Sequence, residues 1–244
     1  MTEIKQLTQG GAQAAVELGI GYDEDLAVLE SNGLLEVEDN DLSSRALERG
    51  LRALGTLGSG NHFMELQSVE QIADQETAKQ WGLYEGQLLA MIHSGSRGLG
   101  HQVCSEHSRK LEQKYRKTAE GWHSEEYGFT LSDRQLACAP MFSKAGQDYL
   151  NQMNAAANFA FANRSALAHR LREVLKLEMG IDGEARTLYD VAHNIAKIET
   201  HNLHGKNCQC AVHRKGATRA FAGDSGHIEA SFQQTGQPLS LIHI

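Results

Sequence analysis

Three histidines stand in settings suited to metal and phosphate chemistry: His62 in GSGNHFMEL, His93 in MIHSGSRGLG and His193 in DVAHNIAKIE. The first two lie beside glycine-rich turns, and the third lies in a segment of mixed polarity. A neutral imidazole binds transition metals and changes its charge near neutral pH. Three such segments, followed by the basic segment HRKGATR, favour a site for a metal ion and a phosphate group.

The turn before His62 is built from small residues at positions 58–60, which let backbone N–H groups approach a ligand closely. Asn61 and Glu65 add an amide and a carboxylate. The alternative is a tight loop in which Asn61 caps the backbone and His62 is satisfied by hydrogen bonds. Short motifs of this kind arise by chance often enough that both interpretations stay open.

The turn after His93 is better suited to bind a phosphate group than the turn before His62. His93 ends an apolar run, and Ser94, Gly95 and Ser96 follow as a possible nest of backbone donors. Arg97 adds a planar guanidinium that matches phosphate oxygens, and the helix predicted next has an N-terminus that favours anions. The segment lacks the Walker spacing. The alternative is an ordinary joint between a strand and a helix.

The other two segments are less specific. His193 has the setting of either a metal ligand or a buried, hydrogen-bonded histidine on a helix, with Asp190 and Glu199 as candidates to orient imidazoles. The basic segment predicts either a solvated turn or a phosphate-binding turn, with cations at His213, Arg214, Lys215 and Arg219.

A structural zinc site is a competing hypothesis for the cysteine-rich segment, with ligands at His204, Cys208, Cys210 and His213. The spacing fits none of the common C-x₂₋₄-C pairs. Alternation along a strand places Cys208 and Cys210 on one face and His213 on the other. We therefore favour a simple strand.

The composition of the chain excludes some classes of function. The formal net charge of −8 argues against a broad, non-specific nucleic-acid surface, although a local basic pocket remains compatible with it. No apolar run of about 18 residues is present, so no membrane partner is expected. The 4 cysteines suit a cytoplasmic protein with free thiols.

The pattern of elements predicts an α+β fold, with mixed sheets that carry the histidines inward and long helices around them. A capped helix should begin near Ser43 or Ser44, and strands should cover HFMELQSVE, GQLLAMIHS and CQCAVHRKG. The segment from GQDYL to LKLE predicts a helix of about nine turns. One domain is expected, because no linker-like stretch occurs.

In this order, the segments resemble the RtcB family of RNA-splicing ligases. The matching stretches are GTLGSGNHFMELQ, MIHSGSRGLGHQVC, the run from GQDYL to MNAAANFAFANR, YDVAHNIAKIE, VHRKGATRAF and the later GQP. They extend over most of residues 20–238. Collinear matches are far more specific than any one of them alone.

The resemblance implies an activity with defined cofactors and partners. Family members join an RNA end carrying a 2′,3′-cyclic phosphate or 3′-phosphate to a 5′-hydroxyl end, with GTP and manganese (Mn²⁺) as cofactors and a guanylated histidine as the intermediate. The implied partners are RNA ends, either tRNA halves or broken RNA, while an activating protein stays an open question. The chemistry would be covalent catalysis followed by metal-assisted phosphoryl transfer.

The resemblance also assigns residues. The family's metal-binding histidines match His62, His93 and His193. Its guanine-nucleotide contacts match Asn61, His62, Phe63, Met64, Glu65, His193 and Asn194. Its expected contacts to RNA phosphates match Arg97 and Lys215, and further Arg214 and Arg219.

Two segments of the family pattern find no match in this sequence. One is an upstream D-x-G-C-G segment that supplies Asp and Cys ligands, and the other is a C-H-G-A-G-R-like segment with the guanylated histidine. No catalytic nucleophile is therefore matched. We expect an incomplete RtcB-like domain over 1–238 and a non-family tail over 239–244, with weak metal binding and no transfer of GMP to the protein. The alternative is a catalytically silent module that binds nucleotide or RNA ends.

Overall fold

The computed structural model describes residues 2–38, 41–180 and 185–215 of the chain. Its α-helices are α1 Thr2–Glu17, α2 Ser44–Leu51, α3 Gln75–Trp81, α4 Arg97–Glu112 and α5 Lys144–Met179. Its strands are β1 Phe63–Ser68, β2 Leu88–His93, β3 Arg116–Thr118, β4 Gly121–Ser124, β5 Phe129–Leu131, β6 Asn194–Leu203 and β7 Lys206–Lys215. Short 3₁₀ helices occupy Asp23–Val28, Glu30–Gly33 and Arg134–Leu136.

The strands form small antiparallel sheets, which pair β1 with β2, β3 with β4, β4 with β5, and β6 with β7. Together with the helices they confirm the predicted α+β class. The strands expected around His62 and His93 and in the cysteine-rich segment are present. His193, for which a position on a helix was one alternative, instead lies directly before strand β6.

Helix α5 is the central element and extends over 36 residues. Ser143 caps its start by accepting a hydrogen bond from the Gly146 N–H, and Gly180 ends it in a left-handed conformation. The long helix predicted from sequence is thus confirmed, with an earlier start. No helix in the described ranges, α5 included, carries a stretch long and apolar enough to span a membrane.

The main core lies between α5 and the helices α1, α2 and α4. Phe159 of α5 is fully buried, and burial of such a side chain contributes roughly 1.5–3 kcal/mol. Around it pack apolar side chains from the other helices, among them Ile4, Leu7, Leu47 and Leu99. Helix α2 begins at the expected place, because the Ser43 hydroxyl accepts a hydrogen bond from the Ala46 N–H.

A buried asparagine joins α5 to the N-terminal part of the chain. The side-chain amide of Asn158 donates to the carbonyls of Thr8, Gln9 and Leu35, at 3.1, 3.3 and 2.9 Å. Its Oδ1 accepts from the Leu35 N–H at 2.7 Å. The side chain is fully buried, so these bonds fix the position of α1 and of the segment after it against α5.

Candidate functional site

A cavity of about 400 Å³ opens where β2 ends, α4 begins, α5 passes and β6 starts. Its α5 wall is made of small side chains, including Ala156 and Ala160, which leave the space open. The polar side chains that line it are His62, His93, His193, Arg97 and Arg164, among others. We call this space the histidine pocket.

The three imidazoles, far apart in sequence, lie side by side in the histidine pocket. The ring centroids of His62 and His93 are 5.8 Å apart, and those of His93 and His193 are 5.1 Å apart. The Nε2 atoms of His93 and His193 are separated by 3.2 Å. Strand pairing explains part of this arrangement, since His93 ends β2 directly opposite Phe63, the residue after His62.

The pocket lowers the pKa of His93 and of His62. Burial, together with the nearby His193, His62 and Arg164, lowers the pKa of His93 to about 4. Burial and the Arg97 guanidinium also lower the pKa of His62. A neutral imidazole offers a lone pair, so both rings are in the form that binds metals.

His93 should therefore become protonated only at an unusually low pH. We expect its imidazole to stay mostly neutral at pH 5, where an ordinary histidine with a pKa of about 6.5 is mostly charged. Because the folded-state pKa lies below the unfolded value, the linked stability is present above pH 6.5 and is lost as the pH falls toward 4. Histidine Cε1–H resonances followed by NMR test this, with His93→Gln to assign the signal. A midpoint near 6.5 would contradict it.

The turn before His62 requires a glycine at position 58, where the backbone passes close to Arg97 and His62. Gly58 has a φ of +112°, and a Cβ there would lie 1.9 Å from Arg97 Nη1 and 2.6 Å from His62 Nδ1. His62 Nδ1 is 3.1 Å from the Leu57 carbonyl and 3.2 Å from Arg97 Nη1. With its proton on Nδ1, His62 donates to Leu57 and keeps a lone pair on Nε2.

Arg97 turns into the pocket region rather than into open solvent. Besides its approach to His62, its Nε donates to the Thr56 hydroxyl at 3.4 Å. Arg97 begins α4 with a φ of +52°, which is a rare conformation for a residue other than glycine. The guanidinium thus lies beside the imidazoles, at the N-terminal end of a helix, where an anion is favoured.

Asn163 of α5 joins the two glycine-rich turns. Its Oδ1 accepts from the Gly55 N–H at 2.7 Å, and its Nδ2 donates to the carbonyls of Thr56 and Gly95 at 3.3 and 3.2 Å. Nδ2 also lies 3.3 Å from the Ser94 hydroxyl, which donates to Leu57 O at 2.8 Å. Sequence analysis did not single out Asn163, although an amide within an Ala/Phe stripe is an available indication.

A buried ion pair fixes the segment that leads to His193. Arg164 donates to both carboxylate oxygens of Asp190, at 2.8 and 2.6 Å, and the side chains are only 5% and 1% exposed. Burial raises the pKa of Asp190 to about 6, and Arg164 opposes that rise. The Asp190 backbone also bonds Glu30 N and Val28 O, at 2.8 and 3.3 Å. The segment before β6 is therefore held at both its side chain and its backbone.

The two carboxylates considered as partners of imidazoles have strong contacts elsewhere. Asp190 binds Arg164, while Glu199 binds Arg214 through both oxygens, at 2.5 and 3.1 Å. Glu199 also contacts His201 at 2.9 Å. Hydrogen bonds from Arg214 and His201 lower the pKa of Glu199 to about 2. Glu199 therefore orients an imidazole, but that imidazole belongs to His201.

The remaining candidate residues have separate local settings. Asn61 is exposed in the turn, and the Phe63 ring meets the His93 ring edge-on at 5.4 Å. Met64 packs against the smaller apolar cluster beneath the β1–β2 sheet, and Glu65 accepts a hydrogen bond from Gln67 at 2.8 Å. Of the remaining candidates, Asn194 is exposed and pairs in register with Lys215, and Arg219 lies outside the described residues.

The fold and the pocket together define a mixed α+β protein whose sheets and central helix bring histidines and an arginine to one internal site. The sequence profile of the family described as tRNA-splicing ligase RtcB matches residues 1–242. The chain belongs to the RtcB family, as the resemblance of its motifs predicted.

Relatives named tRNA-splicing ligase RtcB agree with this assignment. The protein from Archaeoglobus fulgidus is 45% identical over 241 residues, which cover 97% of this chain and 48% of the relative. The protein from Thermococcus kodakarensis is 44% identical, with 98% of this chain and 48% of the relative covered. The RNA-splicing ligase RtcB of Mycobacterium bovis is 44% identical, with 97% and 52% covered. The chain thus spans about half the length of these relatives.

Proposed function

We propose that the chain forms part of a GTP- and manganese-dependent RNA ligase that acts in tRNA splicing or RNA repair in the cytoplasm. The reaction would join an RNA end with a 2′,3′-cyclic phosphate or 3′-phosphate to a 5′-hydroxyl end. The observation that carries the proposal is the convergence of His62, His93 and His193 in one pocket beside Arg97. Membership of the RtcB family supports the same reaction.

The imidazole pair fits a shared metal ion. At the zinc–nitrogen distance of about 2.0–2.1 Å, two nitrogen ligands of one ion lie roughly 3.0–3.4 Å apart, and the Nε2 atoms of His93 and His193 are 3.2 Å apart. Within the described residues no group of three His, Cys, Asp or Glu side chains converges to hold an ion. His62 would complete the set after a small ring movement, and water or substrate oxygens would fill the remaining positions.

The bound metal would act as a Lewis acid that neutralises charge on phosphate oxygens. The protein's own contribution is to hold neutral imidazoles in place and to exclude bulk water with the α5 wall. Arg97 would bind an RNA phosphate after releasing Thr56, while Lys215, Arg214 and Arg219 are proposed as further phosphate contacts. Guanine-nucleotide contacts are proposed at residues 61–65 and at His193 and Asn194.

Manganese binding gives the direct test. We expect His93→Ala to weaken Mn²⁺ binding by more than about tenfold, since even residues that only orient ligands change affinity by about 10–100-fold. The free ion is measured by electron paramagnetic resonance. His101→Ala, an exposed histidine of α4, serves as the matched control and should bind like the parent chain. Equal affinity of parent and His93→Ala would refute the metal assignment.

A silent binding module is the second candidate, favoured by the lack of three converging metal ligands in the described ranges. An assay with cyclic-phosphate RNA, a 5′-hydroxyl RNA, GTP and Mn²⁺ tests whether this chain is silent by itself. We expect the chain by itself to give neither joined RNA nor a protein-bound GMP label. A label that survives purification would show that this chain is competent for guanylation.

A further inference from the structure

The hairpin of β6 and β7 carries four potential metal ligands on one face. Glu199 pairs with Cys210, and His201 pairs with Cys208, as consecutive cross-strand pairs of the same face. Directly paired side chains of an antiparallel ladder point to the same side, and so do residues two apart along a strand. The four side chains therefore form a small quadrilateral, which we call the hairpin cluster.

The ideal spacing of paired strands would let side chains of the hairpin cluster reach one zinc ion. Paired Cβ atoms are about 4.5–5.5 Å apart, and residues two apart on a strand are separated by roughly 6.5–7 Å. Bonds of about 2.3 Å from zinc to sulfur and 2.0–2.1 Å to nitrogen let such side chains meet at one ion. His201 is 46% exposed, which leaves the face open to solvent.

Metal binding requires the two thiols to turn. In the described conformation Cys208 Sγ lies 3.7 Å from the Lys206 carbonyl, and Cys210 Sγ lies 3.7 Å from the Cys208 carbonyl. Among the residues that the structure describes, no three such donors converge in this conformation. A thiol is a weak hydrogen-bond donor, so rotation of both side chains away from these carbonyls costs little.

The imidazole of His201 is already oriented. Glu199 Oε2 lies 2.9 Å from His201 Nε2, and Glu199 is itself held by Arg214 at 2.5 and 3.1 Å. When a carboxylate accepts the hydrogen bond from the Nε2–H, the lone pair of the ring is on Nδ1. A carboxylate in this position is a usual partner of a metal-binding histidine. Arg214 and Glu199 thus prepare His201 to bind an ion through Nδ1.

The two other histidines near these cysteines do not belong to the cluster. His213 pairs with Ala196 and therefore lies on the opposite face of the hairpin. His204 lies in the turn between the strands, with a φ of +52°. The zinc hypothesis weighed from the sequence has the two cysteines in common with the hairpin cluster but takes His204 and His213 as its histidines.

We propose that His201, Cys208 and Cys210 bind a zinc ion on the hairpin, with a water molecule as the fourth ligand and Glu199 as the positioning residue. Binding forms one Zn–N bond and two Zn–S bonds and releases the two thiol protons to solvent. Sulfur ligands favour zinc over the harder Mn²⁺, so Mn²⁺ should not occupy this site.

Zinc titration of the reduced chain against a chromophoric chelator tests the proposal. We expect the parent chain to bind one zinc ion at this site, and Cys208→Ser, Cys210→Ser and His201→Ala each to lose it. Glu199→Gln should weaken binding by about tenfold. His213→Ala on the same strand, and His93→Ala in the histidine pocket, should keep it. Co²⁺ as a probe should show a thiolate charge-transfer band in the parent chain and in these two controls.

The outcome can contradict the proposal without touching the ligase assignment. In a His93→Ala background, zinc retained by both serine variants, or lost in His213→Ala, would overturn it, as would a parent chain without the cobalt band. Zinc lost in His93→Ala but retained in His201→Ala would place the ion in the histidine pocket instead. Circular dichroism of each variant verifies that the chain is folded, and two separate thiol variants guard against loss of structure in one.

Discussion

Replacing Asp190 with alanine is expected to lower the free energy of unfolding by about 3–5 kcal/mol, because the Arg164 guanidinium would stay buried without its partner. Arg164 is only 5% exposed, so water cannot easily replace the lost carboxylate. The substitution also removes the side-chain anchor of the segment that leads to His193. Urea denaturation followed by circular dichroism measures the change.

Two comparisons isolate the cause of that loss. Asp148→Ala breaks the exposed Lys144–Asp148 pair on α5, which should cost only about 0.3–0.5 kcal/mol. A double variant, Arg164→Met with Asp190→Leu, removes both charges and should recover much of the stability, because an apolar pair leaves no unpaired ion. If Asp190→Ala were as stable as Asp148→Ala, the buried ion pair would not be structural.

Replacing Asn163 with alanine is expected to weaken Mn²⁺ binding in the histidine pocket by about 10–100-fold, the usual effect of removing a group that orients ligands. Asn163 bonds both glycine-rich turns, one before His62 and one after His93. Without it the turns keep the Ser94–Leu57 bond at 2.8 Å and the longer Arg97–Thr56 bond at 3.4 Å. Stability should fall as well, by about 1–3 kcal/mol for each buried group left unpaired.

Asn158→Ala is the matched control for this variant. Asn158 lies on the same helix, is fully buried and makes a similar number of bonds, but its partners belong to α1 and the segment after it. It should therefore reduce stability while leaving Mn²⁺ affinity nearly unchanged. Equal losses of affinity in the two variants would mean that general loosening, and not the alignment of the turns, controls the pocket.

Local patterns predicted much of the fold. The Ser43 cap, the apolar run that ends at His93 and the Ala-rich stripe of α5 each depend on neighbours in sequence, and each prediction is confirmed. The same patterns could not decide the conformation at His193, where a short mixed segment suits either a helix or a strand. Pairing with β7 decides it, and that pairing is a tertiary effect.

The hydrogen bonds that support the site could not be predicted from the sequence, because they too depend on tertiary structure. Asn163 reaches Gly55 across 108 residues, and Asn158 reaches Leu35 across 123. Glu199 was considered as a partner for an imidazole, but only the register of the hairpin shows that the imidazole is His201. Residue type indicated which bonds these side chains can form, while the chain topology decided which residues are their partners.

Helix α5 sets three separate alignments through Asn158, Asn163 and Arg164, which bond different parts of the chain. Each added residue in a helix turns everything after it by about 100° and advances it by about 1.5 Å. One inserted amino acid between Asn158 and Asn163 would thus swing the pocket's supports away from the turns while the N-terminal half stayed docked. The number of residues between Asn158 and Asn163 must therefore stay constant for both ends of the helix to keep their partners.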